Sequence, residues 1–568
     1  MNTPETPESP ETPEMPDRAS HRPQDGDLRD VAILGGSLPA ATLATVLAAG
    51  GARVTLIDEG RPPAFPPGEM GVHAAGLFRV LAERYRAPEL ARTATVKDIH
   101  AHVTRTVGAE HCHSFVYHRE GRPQDPAELL QVCPPKGAPP EPHFHRPDID
   151  AYLLRCARDR GADVRRGAKV SGAAAGPDGA VVRLADGSEV RARYLVDASG
   201  PDSPLVTGLG LREEPVRLAT ASRTLAAHMT RIRPFADVVA DRAASYRPPM
   251  PWHRGSMHHL TDGAYLAVLP LGNHPDSTGG LFSVSLTLDA RRFPAHEGAA
   301  GPSPEEEFRA FVARFPTLAD QFAYAVAESP WLATGRNQYA ASRTGGDRWC
   351  LIGDAAGYVD PFISRGLGLS LETVNVLARR LLDAVNDGDF SAERFAVVGE
   401  LTRDHLAAND ELAAMVHASL RDPELVRAVL FVLEVGFRFG GFPMLTAFAE
   451  LRSSGSDAAL RALETAPYRG HVFAGHEGYH RLFTAAGATC AAVAAGELDA
   501  RTASERIFRS VREAEFVPAA FKLGDPAARS LRITPVTLLR LALWTVRGAP
   551  KDIAPLVRAG IKSVLRGR

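Results

Sequence analysis

Hydrophobic and polar positions along the chain change their rhythm several times. Residues 1–27 repeat Thr-Pro-Glu and Ser-Pro-Glu units with few apolar side chains, so they predict a disordered tail. From Val31 the pattern is different. Val31-Ala-Ile-Leu34 is an unbroken apolar run of strand length, followed by Gly35-Gly-Ser-Leu-Pro-Ala40 and a small-residue helix to Ala49. Arg53-Val-Thr-Leu-Ile57 is a second such run, ending at Asp58-Glu59. Unbroken apolar strands joined by a helix predict a parallel sheet covered on both faces. Later segments alternate instead. His113 and Phe115 fall on one face of a strand, Ser114 and Val116 on the other. Val181-Val-Arg-Leu and Val190-Arg-Ala-Arg flank Asp186-Gly187 and predict a hairpin. Tyr194-Leu-Val-Asp197-Ala-Ser-Gly200 then returns to the parallel sheet.

Three runs beginning at Met257, Ala264 and Leu281 read as neighbouring strands of an antiparallel sheet over residues 216–335. A short apolar end at residues 349–352 delivers Gly353-Asp354, and Gly366-Leu367-Gly368 opens a helix to about Val385. Beyond residue 386, Ala, Leu and Arg predominate and helix is expected to the end. The apolar stretch 428–449 contains Glu434 and Arg438, so it reads as a buried or partner-facing helix and not as a membrane span. The fold class expected is α/β: a dinucleotide-binding, Rossmann-like domain over 28–215 and 336–385, an antiparallel-sheet substrate domain over 216–335, and a helical C-terminal domain over 386–568.

Composition adds limits. At 568 residues, about 150 per domain predicts three or so domains. A net charge of −2 without a basic block argues against nucleic acid as a partner. Five scattered cysteines with no CxxC read as reduced thiols, not as a disulfide frame or a zinc site, so no metal is expected. No basic segment precedes an apolar run at the start, which predicts a cytoplasmic protein.

Candidate chemistry gathers in two places. Gly35-x-Ser37-x-x-Ala40 is a variant of the glycine-rich turn that brings pyrophosphate onto a helix N-terminus. Gly35 permits the tight turn, Ser37 narrows the backbone's approach, and Ala40 replaces the packing glycine. Asp58 or Glu59 is placed to take ribose hydroxyls. The second place is Gly353-Asp-Ala-Ala-Gly357, with Asp360-Pro361 and Gly366-Leu367 behind it. Small residues there let the backbone approach a large flat group, and the helix start offers unpaired N–H groups with about half a positive charge. Asp354 is placed for a ribityl or ribose hydroxyl.

Gly353-Asp354-Ala355-Ala356 with Asp360-Pro361 and Ser364-Arg365-Gly366 resembles the flavin-binding element of flavin-dependent halogenases and their monooxygenase relatives. The resemblance covers most of the chain from about Val31. It implies an oxidoreductase that binds FAD and uses reduced flavin and O2 on an aromatic or carrier-protein-bound small molecule. No second nucleotide fingerprint follows, so a separate flavin reductase is expected. Arg146, before a helix, resembles the flavin-facing arginine of the wider class.

The chain departs from the family pattern at several points. Where a hydroxyl residue follows Gly-Glu in halogenases, Met70 follows Gly68-Glu69. The family carries a lysine five residues before a phenylalanine. Counting back from Phe115 puts Glu110 in that slot; starting from Lys97 puts His102 in place of the phenylalanine. A carboxylate can neither form a haloamine nor lend an ammonium proton. The family's Trp-x-Trp-x-Ile-Pro signature corresponds to Tyr265, Ala267, Leu269 and Pro270. Glu110 and Lys97 are therefore the catalytic candidates, and Phe115, His258, Tyr265 and Ala267 the substrate-pocket candidates. These departures favour a monooxygenase. An active halogenase and a non-catalytic flavin-binding partner protein remain as alternatives.

Overall fold

The computed structural model describes residues 28–60, 70–135, 137–274, 277, 280–296 and 301–566. The amino-terminal tail and the Gly68-Glu69 segment lie outside these residues. Strand Arg29–Leu34 lies inside a parallel sheet, between Val54–Asp58 and Glu189–Asp197. Asp163–Arg166 extends the sheet on one side and Trp349–Leu351 on the other. All five residues of Val54–Asp58 are buried. Helices Leu38–Ala49, Arg146–Asp159 and Arg365–Asp387 pack over one face of the sheet, and Val182, Leu205 and Val206 cover the other, so the central apolar runs are buried on both faces and need no alternation.

Strand Glu189–Asp197 changes partners along its length. Its start pairs antiparallel with Gly179–Leu184 through the Asp186-Gly187 turn, and its end runs parallel to Arg29–Leu34. The end of the strand is tied down by Asp197, whose buried carboxylate accepts from the Ser199, Ser203 and Leu205 donors.

The second sheet places Ser222–Thr230, Phe282–Asp289, Ala264–Pro270 and Ser256–Thr261 side by side and antiparallel. It then recruits strands from far away in sequence. His113–Tyr117 runs parallel to Ser256–Thr261 with Phe115 opposite His258, Leu129–Cys133 follows, and Ser530–Arg532 closes that edge.

Carboxy-terminal helices Ala392–Ser419, Pro423–Gly440, Glu477–Ala494 and Ala500–Glu513 share a core with this sheet. The helical stretch Pro423–Ser454 is long and apolar enough to cross a membrane by length and composition. In the fold, however, Phe431, Val432, Val435 and Phe439 are buried against neighbouring helices. Glu434 and Arg438 pair at 3.5 Å within the protein, the arrangement of a core helix.

Candidate active site

The strand ends of the parallel sheet open onto a cleft of about 510 Å³. Two glycines shape one end of it. Gly35 has φ +97°, and a β-carbon there would lie 2.5 Å from the Ala198 carbonyl oxygen. A β-carbon on Gly36 would lie 2.4 Å from Asp58 Cγ. Gly36, passed over in the motif reading, is thus as constrained as Gly35. Ser37 precedes helix Leu38–Ala49 without capping it; its hydroxyl donates to Ala198 O at 3.2 Å. Ser37 thus leaves the helix start without a cap from its own side chain, and the Asp150 carboxylate, on the cleft wall, accepts from the Leu38 N–H. Ala40 is fully buried and packs in the core; it does not line the cleft. Asp58 closes its strand and accepts from the Gly60 N–H at 2.9 Å, whereas Glu59 accepts from the Val170 N–H at 2.9 Å.

The central element reaches the same cleft from the opposite side. Gly353, Asp354, Pro361, Gly366 and Leu367 all line it, as does Arg146 at the start of helix Arg146–Asp159. Asp354 is exposed on the cleft wall, and the protein around it raises its carboxyl pKa, with the Arg146 guanidinium pulling the other way. Asp360, also on the wall, is the hub of a buried network. It accepts from the Tyr265 hydroxyl at 2.5 Å, Ser222 Oγ at 2.6 Å and the Phe362 N–H at 3.0 Å, with His417 Nε2 3.0 Å away. Burial opposes a charge on Asp360, but His417, Ser222 and Tyr265 outweigh it and lower the carboxyl pKa.

A second cavity of about 520 Å³ lies beyond this cleft. Phe115 and His113 of strand His113–Tyr117 form one wall, and Phe439, Phe442, Leu541 and Val557 of the carboxy-terminal helices form much of the rest. Arg365, Glu434 and Arg438 supply charge. Ser364 and Leu369 line both cavities, so the helix Arg365–Asp387 is their common partition. The sequence pattern marks the carboxy-terminal region only as helix, yet its helices build much of this cavity. The available signal was the charge of Glu434 and Arg438 inside an otherwise apolar helix.

The other candidates fall into place less simply. Phe115 lines the second cavity; His258, Tyr265 and Ala267 line neither. His258 is buried, stacked on Phe115 with ring centroids 4.9 Å apart. Tyr265 turns toward Asp360, and Ala267 sits half-buried in mid-strand. Lys97 is exposed on helix Val96–His102 and lines neither cavity. Among the described residues no lysine lines either one.

Glu110 is 2% exposed and does not reach the cavity either, which corrects its reading as a group meeting substrate. Its Oε1 accepts from Ser256 Oγ and lies 3.1 Å from His113 Nδ1. Its Oε2 lies 3.0 Å from His143 Nε2, an ion-pair contact off the line of a hydrogen bond. Burial works against its charge, but His113, His143 and the Ser256 hydroxyl prevail and hold the carboxyl below the usual glutamate range. Glu110, His113 and Glu141 bring donor atoms within 4.8 Å of one another. With the Glu110 carboxylate engaged as above and Glu141 accepting from the Val72 N–H at 3.1 Å, the cluster reads as hydrogen-bonded side chains.

A parallel sheet, a glycine turn pressed against a strand-end acid, and a second glycine-rich wall define a flavoprotein of the FAD-binding class. Residues 29–394 match the family model described as FAD binding domain. The chain is 36% identical to tetracycline 7-halogenase of Kitasatospora aureofaciens over 94% of its own length and 96% of that enzyme's. It is 35% identical to monodechloroaminopyrrolnitrin halogenase PrnC of Pseudomonas fluorescens, covering 93% of this chain and 94% of the other. The crystal structure of halogenase PltM in complex with phloroglucinol and FAD superposes with a TM-score of 0.84 at 27% identity, covering 89% of this chain and all of PltM. The chain belongs to the flavin-dependent halogenase family.

Proposed function

We propose that this chain is a flavin-dependent halogenase acting on an aromatic small molecule held in the second cavity. Whole-length similarity to two halogenases carries this reading, because it spans the helices that build the substrate cavity as well as the flavin cleft. On this point the relatives outweigh the preference for a monooxygenase drawn from the motifs alone.

The residues present fit FAD. Asp58 beside Gly36 would take ribose hydroxyls, and the start of helix Leu38–Ala49 the pyrophosphate. Asp354 and Arg146 would face the ribityl chain and ring. Bound reduced FAD supplies, with O2, the oxidant that turns halide into an electrophile. The two-chamber layout supports halogenation: substrate is held beyond the Ser364–Leu369 partition, apart from the flavin, so the electrophile and not the substrate makes the passage. Arg365, whose Nη1 has no hydrogen-bond partner among the described residues, offers a donor to an anionic group in the second cavity. Reduced flavin would come from a separate reductase, and the compartment would be the cytoplasm. A carrier protein is a second means of presenting substrate, since one relative is a 1H-pyrrole-2-carbonyl-[peptidyl-carrier protein] chlorinase.

One observation favours a second reading, oxygenation of the same kind of substrate without halogen transfer. Glu110 takes the position five residues before Phe115, and no lysine among the described residues lines a cavity. Product mass from purified protein, FAD, a flavin reductase and a panel of phenols, with and without bromide, separates the two. Brominated product supports the halogenase. A gain of one oxygen irrespective of bromide selects the oxygenase.

A further inference from the structure

The side of the Glu110 cluster that faces the second cavity carries a group with no role assigned so far. His113 and Phe115 are two residues apart on one strand, so both project into that cavity. His113 Nδ1 is 3.1 Å from Glu110 Oε1, and the imidazole keeps 25% of its exposure while the carboxylate behind it keeps 1%. A buried anion on Nδ1 selects the tautomer with N–H there and leaves the basic lone pair on Nε2, at the other edge of the ring.

The rest of the cluster holds that anion in place. His143 presents Nδ1 to the Pro270 carbonyl at 3.1 Å and Nε2 to Glu110 Oε2 at 3.0 Å. Ser256 Oγ adds a hydrogen bond to Oε1. Glu110 is thereby fixed and ionised, and His113 is the member of the cluster that looks outward.

We propose that His113 is the catalytic base of this chain, accepting the proton of an aromatic hydroxyl from substrate in the second cavity, with Glu110 as its positioning residue. This rests on the proposed attack of an electrophile on an aromatic ring. The substrate O–H bond breaks, its electron pair stays on oxygen, and the proton moves to Nε2; the phenolate then feeds electron density into the ring. The imidazolium formed is stabilised by Glu110 and later returns its proton to solvent. The arrangement has the logic of a histidine oriented by a buried carboxylate.

Several charged or titratable groups face His113. Glu110 lies behind it, and Glu141 and His143 come from strand Glu141–Phe144. His258 comes from the neighbouring strand, with its ring centroid 6.4 Å away. Glu434 comes from helix Pro423–Gly440, paired with Arg438. Burial pushes His258 down to about 3, so it adds no charge near neutrality.

Full-length, FAD-loaded protein labelled with 13C-histidine provides the test. The His113 resonance is identified by its loss in His113→Gln and followed across pH by NMR. Glu110→Gln should move its midpoint down by roughly 1 to 3 pH units, the effect of removing an opposite charge at this distance, and Glu110→Asp should restore part of the shift. An unmoved midpoint in Glu110→Gln would overturn the pairing. In turnover with phloroglucinol as probe, bromide and a reductase, His113→Gln should lower product by about 100-fold or more, with FAD retention and reoxidation of the reduced flavin by O2 unchanged. Undiminished product would overturn the role of base. Wild-type protein that converts no phenol would remove the functional reading and the base role with it, while the titration would still decide the pairing.

Discussion

Asp58 stands so close to Gly36 that a β-carbon there would lie 2.4 Å from its Cγ and 2.6 Å from both carboxylate oxygens. Gly36→Ala must displace the carboxylate proposed to hold ribose, or bend the turn that presents pyrophosphate. The expected outcome is loss of FAD with an intact fold, read as vanished flavin absorbance after desalting and an unchanged far-UV spectrum. Full retention of FAD would show that Asp58 takes no part in binding.

Arg146 and Asp354 face each other across the cleft, where burial raises the Asp354 carboxyl pKa and the guanidinium resists that rise. Removing the cation by Arg146→Ala should favour the neutral acid and weaken the hydrogen bond that the carboxylate accepts from a flavin hydroxyl. Calorimetry should register a loss of about 1.5–3 kcal/mol in FAD binding, the scale for a charged hydrogen bond. Asp354→Asn should cost a similar amount, and the double variant less than the sum of the two.

How much of this was readable beforehand depended on whether the signal was local. The apolar runs at Val31 and Arg53, the Asp186-Gly187 turn and the helix opening at Gly366 lie close to their observed elements because short-range pattern determines them. The pairing of Phe115 with His258 joins residues 143 positions apart, and no local pattern encodes it. Tyr265 illustrates the same limit. Its place in the Trp-x-Trp-x-Ile-Pro register made it a substrate-pocket candidate, whereas it lines neither cavity and the fold spends its hydroxyl on Asp360. Spacing made Glu110 a candidate to meet substrate, whereas packing buries it behind His113.

Buried histidines should make the fold acid-sensitive. Burial pushes His118 down to about 3, and His228 and His471 to about 4. Each is neutral in the fold but protonates near pH 6.5 when unfolded, so the unfolded chain binds more protons below that pH. Their contribution is complete above about pH 6.5 and is lost as pH falls toward 3–4, each group costing at most about 1.4 kcal/mol per pH unit. Urea denaturation at a series of pH values should show this decline, and His118→Gln should make it shallower. A stability flat from neutrality to about pH 4 would refute the assignment.

The carboxy-terminal helices make a separable contribution. Val557, Gly560 and Ile561 line the second cavity but not the flavin cleft. Deleting residues 549–568 should open that cavity to water and abolish turnover of a phenolic probe, while FAD titration remains as in the full chain. Loss of FAD together with turnover would mean that the helices support the whole fold and not the cavity alone.

The last prediction concerns Glu110→Lys, the change that restores the family's residue in the slot five positions before Phe115. A lysine there would enter a site built for an anion. It would set an ammonium beside His113 and His143 and remove the buried carboxylate that both rings face. Breaking a buried pair in this way costs about 3–5 kcal/mol, so the melting temperature should fall. Nor would the surrounding signature be restored, since Tyr265 would still hold Asp360 on the flavin side and Ala267 would still stand where an indole does in the family. FAD lies beyond the Ser364–Leu369 partition and should bind as before. The expected outcome is a less stable flavoprotein whose brominated product, measured by mass spectrometry, is no greater than that of the unaltered chain. A clear rise would mean that an ammonium at this position works without the rest of the signature. It would also mean that the Glu110–His113 pair is dispensable.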